Sequence, residues 1–190
     1  MRNERVLEIT TIGVFSGLIF VMAIVPWLGF IEIGIVSITI IHIPVLIGGI
    51  FGGKRVSLAL GLAFGLSSLM IAFLRPTLPA SFVFQNPLVS VLPRVLFGYF
   101  LYIIYKISIK TIPNEFTAMV VAFVTSTLVH TVLVLVPMYI IFVDSDIFSG
   151  MFGWIWGIML TNGFFEAILA GLVGAPIAYR LKVYLKNMGR

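Results

Sequence analysis

A chain of 190 residues with 61% hydrophobic and only 10% charged residues is unlike a soluble domain, in which about 25% of residues are charged. A mean hydropathy of +1.18 makes it an integral membrane protein with almost nothing outside the bilayer, and leaves no room for a nucleotide-binding domain. The net charge of +5 does not require nucleic acid, because membrane proteins gather Lys and Arg on one side. The absence of cysteine excludes disulfides, thiolate metal sites and a Cys nucleophile.

At about 20 residues per span, the chain reads as one all-α domain, residues 1–190: an integral membrane bundle of six transmembrane helices. The first apolar segment runs over about residues 8–25 and ends at Pro26. Arg2 and Arg5 precede it and no small-x-small cleavage site follows, so it is read as an uncleaved helix rather than a signal peptide. A linker, PWLGFIEIG, carries Glu32. The second segment spans about 35–51 and ends in GGIFGGKR, whose glycines suit a tight turn. The third covers about 55–74. A loop rich in Pro, Thr and Ser follows, then the fourth segment at about 87–106. The turn KISIKTIPNE leads to the fifth at about 116–143. Asp144, Ser145 and Asp146 form the next turn. The sixth, about 150–181, holds Gly153, Gly157, Gly163, Gly171, Gly174 and Pro176, and is expected to bend or split.

Cations orient the bundle. With both termini cytoplasmic, the inner side receives Arg2, Arg5, Lys54, Arg55, Lys106, Lys110, Arg180, Lys182, Lys186 and Arg190, and the outer half only Arg75 and Arg94. Ten against two is a strong positive-inside bias. It isolates Arg94, which lies inside an apolar run about two turns past Pro87. A guanidinium keeps its charge, and burying it unpaired costs several kcal/mol. It needs an anion: a carboxylate of the protein (Glu166, Asp144 or Asp146) or one on a ligand.

Polar residues at membrane depth are candidates for function. His42 sits about two turns into the second segment from the outside, where a structural cap or kink residue before Pro44 is the plainer reading. His130 is near the middle of the fifth segment. Asn162 and Glu166 lie one turn apart on the sixth and share a face. Counting along alternating helices puts Arg94, His130 and Asn162 at similar depth, with Glu166 deeper. Gln85 and Asn86 add amides from the Pro-rich loop. A cation, an imidazole and several amides suit a small anionic solute bearing hydroxyl or amide groups. Helix–helix bonds are the alternative for His130 and Glu166. A solvated loop position or a headgroup contact is the alternative for Arg75. Trp27, Trp154 and Trp156 fit an outer aromatic belt. Gly13 and Gly17 form a small stripe where another helix can approach. There is no P-loop and no H-E-x-x-H motif. Ser126 and His130 are i, i+4, but nothing supplies an oxyanion hole, so a small polytopic membrane enzyme is a weak alternative. No cofactor and no metal is expected.

The stripe Gly13-x-x-x-Gly17, the segment HIPVLIGGIFGGKRVSLALGLAFGLSSL, the size and the six expected spans together resemble the substrate-binding S components of energy-coupling factor (ECF) transporters. That family more often shows Ala-x-x-x-Ala on the first helix; glycine departs from the residue but keeps the surface small. The stretch RPTLPASFVFQNPLVSVLPRVLFG is most similar to the pantothenate-specific members. The resemblance implies capture of pantothenate, or of another vitamin or small acidic solute, from outside. It also implies association, through Gly13 and Gly17, with a transmembrane coupling protein and two cytoplasmic ATPases, and toppling of the subunit within the bilayer. On this reading Arg94, Asn162, His130, Gln85, Asn86, Glu166 and His42 are the substrate-binding residues.

Overall fold

The structure, a computed structural model, describes residues 2–33, 36–76, 79–142 and 152–188. Asp144, Ser145 and Asp146 lie outside the described residues, as do the side chains of Glu32, Trp154 and Trp156. Helix α1 (Arg2–Ile24) is followed by a two-stranded antiparallel hairpin, β1 (Phe30–Ile33) and β2 (Val36–Thr39), with Phe30 opposite Thr39 and Ile33 opposite Val36. Then come α2 (His42–Leu74), a 3-10 turn (Pro79–Gln85), α3 (Pro87–Ser90), α4 (Leu92–Thr111), α5 (Glu115–Phe142), α6 (Phe152–Leu169), a π-helical turn (Ala170–Gly174) and α7 (Ala175–Asn187).

Five helical stretches among the described residues are long and apolar enough to cross a membrane: Glu4–Ile24, His42–Leu74, Pro87–Thr111, Glu115–Phe142 and Leu160–Asn187. The fold is therefore a membrane helical bundle; among the described residues five such stretches are found against the six expected, and the longest carries a break at Gly53. Residues expected in the second span divide between β2 and the start of α2. Within GGIFGGKR, the place of the expected glycine turn, α2 carries a break at which Gly53 takes φ 73°, ψ −164°. Only glycine adopts that conformation without strain, so the break sits where the sequence permits it. The fourth helix runs on through the expected turn to Thr111, because Lys106 and Lys110 are compatible with an exposed helical end. The described part of the sixth segment runs on through the π turn into α7 as one helical stretch. Pro176 falls at the start of α7, where its missing N–H costs least.

The main core gathers Ile19 of α1, Leu46, Leu60 and Phe64 of α2, Phe97 and Leu101 of α4, Met119 and Phe123 of α5, and Ala170, Ala175 and Ala178 from the last segment. Large apolar side chains point outward elsewhere, among them Ile9, Ile140, Phe164 and Leu172. Hydrocarbon surroundings explain that inversion of the soluble pattern. Helices α2 and α4 cross closely through glycines. A methyl on Gly61 would strike the carbonyl oxygen of Arg94, and one on Gly98 the carbonyl oxygen of Ser57. At Gly65 it would come within 2.8 Å of the Val91 Cα. This close crossing places the first turn of α4 against the middle of α2.

Polar contacts tie the ends. Lys182 of α7 pairs with Glu115 at the start of α5, and its ammonium lies 3.4 Å from the Tyr105 hydroxyl of α4. Arg55 and Glu8 pair loosely at 4.0 Å between α2 and α1. Beyond the other end of α2, Arg75 donates from Nη2 to the Ala23 carbonyl at 2.8 Å. It thereby satisfies one of the carbonyls that helix α1 leaves unpaired at its C-terminus.

Candidate functional site

Arg94 sits in the first turn of α4, directly after Pro93, and is 5% exposed. Its Nη1 donates to the Val89 carbonyl of α3 at 2.6 Å. Two aromatic faces enclose the guanidinium: its central carbon lies 5.5 Å from the Phe64 ring centre and 5.0 Å from that of Phe84. Both stackings favour the cation. Phe84 arrives from the 3-10 turn and packs over a small second core of Val83, Val89, Leu135 and Met138. The Nε of Arg94 is buried and has no hydrogen-bond partner among the described residues.

His130 of α5 also packs against Phe64. Its ring centre is 5.5 Å from Phe64 and 4.8 Å from Phe97, and neither ring nitrogen has a partner among the described residues. Ser126, one turn earlier on the same face, is fully buried with its Oγ likewise unpartnered. His42 opens α2; its Nδ1 donates to the Thr39 carbonyl 2.7 Å away, and its Nε2 is buried without a partner among the described residues. Glu166 of α6 is 7% exposed and accepts the Thr39 backbone N–H at 2.6 Å.

Four of the residues expected from the sequence therefore converge. His130 lies within electrostatic reach of both Arg94 and His42, and Glu166 within reach of Arg94. Arg94 and Glu166 attract one another across the interior, yet no direct ion pair joins them among the described residues. Glu166, one of the three internal partners that the sequence offered for Arg94, thus spends a carboxylate oxygen on the hairpin. Asn162 stands one turn before Glu166 on α6 and is half-buried. Gly163 beside it packs α6 against Thr131 of α5.

Gln85 and Asn86 have structural work. Gln85 donates from Nε2 to the Ala72 carbonyl at 3.0 Å, closing the loop back onto α2. Asn86 caps α3, its Oδ1 accepting the Leu88 N–H at 2.9 Å. The sequence did not single out Phe64, Phe84 and Phe97, since an aromatic in an apolar helix looks like any core residue. Nor did it single out Thr39, which acts through its backbone. Gly13 and Gly17 are exposed on α1, and a methyl on either would meet nothing within 4 Å. They face outward, away from the bundle.

Several spanning helices, with a buried cation and two imidazoles gathered between α2, α4 and α5, define a polytopic membrane protein with a polar interior site. Residues 7–178 match the family model described as ECF transporter, substrate-specific component. The chain belongs to that family, and it is a transporter subunit rather than an enzyme. It is 29% identical over 189 residues to a protein of Leuconostoc mesenteroides named pantothenate transporter PanT, covering 93% of each chain. It is 32% identical over 153 residues to the pantothenic acid transporter PanT of Lactococcus lactis, covering 73% of this chain and 74% of that one.

Proposed function

We propose that the protein captures pantothenate at the outer face and delivers it inward by docking with a transmembrane coupling protein that two cytoplasmic ATPases drive. The observation that carries this reading is the set of buried polar atoms left unpartnered among the described residues: Nε of Arg94, both ring nitrogens of His130, Nε2 of His42 and Oγ of Ser126. Buried polar groups are normally bonded, so five in one neighbourhood suit a site whose remaining partners come from a solute. Both similar proteins carry pantothenate in their names, and pantothenate matches these atoms chemically. Its carboxylate suits Arg94, already held by Val89, Phe64 and Phe84. Its amide and two hydroxyls suit His130, His42, Ser126 and Asn162. Gln85 and Asn86 frame the loop side.

In this reading the break at Gly53 divides α2 into two membrane segments, His42–Gly52 and Lys54–Leu74, which brings the bundle to six. The termini and the Lys54–Arg55 corner are cytoplasmic, in keeping with the ten cations on that side. Gly13 and Gly17, with open space before them, form the face that meets the coupling protein. The test is direct: purify the chain from cells grown with the vitamin, identify the co-purifying small molecule by mass spectrometry, then titrate the emptied protein with a panel of vitamins. Pantothenate is expected in the preparation and as the tightest ligand. A different acidic solute in both experiments would overturn the substrate.

A further inference from the structure

Thr39, the last residue of β2, has both of its peptide groups held by side chains. Its N–H donates to Oε1 of Glu166, which lies 127 positions further along the chain, and its carbonyl accepts from Nδ1 of His42. The two side chains come from different helices, α6 and α2, so one residue of the hairpin is clamped between them. A carbonyl oxygen only accepts. The proton of the His42 ring is therefore on Nδ1, and in the neutral tautomer Nε2 presents a lone pair. That Nε2 is the buried atom without a partner among the described residues.

We propose that Glu166 is a positioning residue: it fixes the Thr39 peptide, the peptide fixes the tautomer and orientation of the His42 ring, and Nε2 of His42 thereby offers a hydrogen-bond acceptor to the solute. The last step rests on the solute-site reading above; the clamp itself belongs to the ligand-free chain. The consequence is a site of opposed polarity. Arg94 has only donors to offer and takes an acid group, whereas His42 takes a donor, an O–H or N–H, at the other end. A solute with acid groups at both ends is disfavoured, because its second carboxylate would face the His42 lone pair. Glu166 sets this selectivity without touching the solute.

The experiment uses the full chain in nanodiscs. It holds only two histidines, His42 and His130, so their side-chain 15N signals are readily assigned with a His130→Gln variant. Without ligand, His42 is expected as the Nδ1-protonated tautomer, with a slowly exchanging Thr39 amide. Glu166→Ala is expected to mix the His42 tautomers and speed Thr39 exchange by about tenfold or more, the scale of a lost hydrogen bond to a charged group. Glu166→Gln, whose Oε1 still accepts, should restore both signals. Thr39→Pro removes the N–H while leaving Glu166 in place, and should reproduce the His42 change should Glu166→Ala fail to fold. With pantothenate, Glu166→Ala should weaken binding about tenfold and Glu166→Gln should recover most of it. A His42 signal indifferent to both Glu166→Ala and Thr39→Pro overturns the proposal. So does a Glu166→Gln protein with intact ligand-free signals that binds pantothenate as poorly as Glu166→Ala, since that marks direct contact. A wild-type chain that binds no pantothenate refutes the substrate and leaves the ligand-free signals to decide the clamp.

Discussion

Replacing Arg94 with Met tests the centre of the proposed site, because Met keeps much of the volume and removes the charge. The structure separates two costs. The first is internal: the bond to Val89 and the stacking on Phe64 and Phe84 are lost, and the Val89 carbonyl is left unpaired. An unsatisfied buried acceptor costs about 1–3 kcal/mol of stability, partly offset because a buried cation is no longer carried. The second falls on the solute. A buried charge-assisted bond to a carboxylate contributes about 1.5–3 kcal/mol, equivalent to about 10- to 150-fold in Kd. Calorimetry on the purified chain reads the second cost, and ligand-free thermal unfolding reads the first. A pantothenate analogue with a primary alcohol in place of the carboxylate completes a thermodynamic cycle. That analogue should bind the wild type more weakly by the same factor, and should bind Arg94→Met about as well as pantothenate does. A folded Arg94→Met protein with unchanged pantothenate affinity, or one that still distinguishes acid from alcohol, would refute the assignment.

Three further outcomes are expected. Gly61→Ala drives a methyl into the Arg94 carbonyl, so it should lower stability by about 1–3 kcal/mol, seen as a fall in Tm, whereas Gly13→Ala, with nothing within 4 Å, should leave Tm nearly unchanged. Gly17→Leu should leave pantothenate affinity intact but sharply reduce capture of the chain by a purified coupling protein–ATPase module; retained capture would place docking elsewhere. Because the chain has no native cysteine, Lys54→Cys can be labelled selectively in cells, and an impermeant maleimide should reach it only after the inner face is exposed. Labelling from outside would refute both the six-segment arrangement and the orientation.

Much of the architecture was legible because hydrocarbon imposes long uninterrupted runs. The end of α1 and both ends of α5 follow from apolar length and from Pro26 and the Pro113–Asn114 turn, whereas α1 starts at Arg2, before the apolar run expected from about residue 8. The hairpin was not read, although FIEI and VSIT alternate in character and are rich in β-branched residues. Eight residues of strand next to an apolar helix are easily absorbed into a span. The Gly53 break falls within GGIFGGKR, where the sequence places a glycine turn; what the sequence could not show is how far the chain turns there. Arg94, His42, His130 and Glu166 stood out because charge and imidazole are rare at membrane depth. The partner of Glu166 could not be read, because a backbone N–H 127 residues away leaves no mark on composition or spacing. The aromatic walls of Arg94 and His130 were hidden for a related reason: Phe64, Phe84 and Phe97 are chemically at home anywhere in an apolar interior.

The break at Gly53 leaves His42–Gly52 as a helix of eleven residues, about 16 Å long. That is roughly half of a hydrocarbon layer about 30 Å thick. In the proposed six-segment arrangement, with the Lys54 corner at the inner surface, this length puts His42 near the midplane and leaves the hairpin to complete the crossing. Pairing satisfies only the peptide groups that face between the two strands; at Thr39 the side chains of Glu166 and His42 take the others, so the non-helical backbone there is covered by protein. A solute resting against His42 has then already passed half the insulating layer, and the partition still separating it from the interior of the cell is only about three helical turns deep.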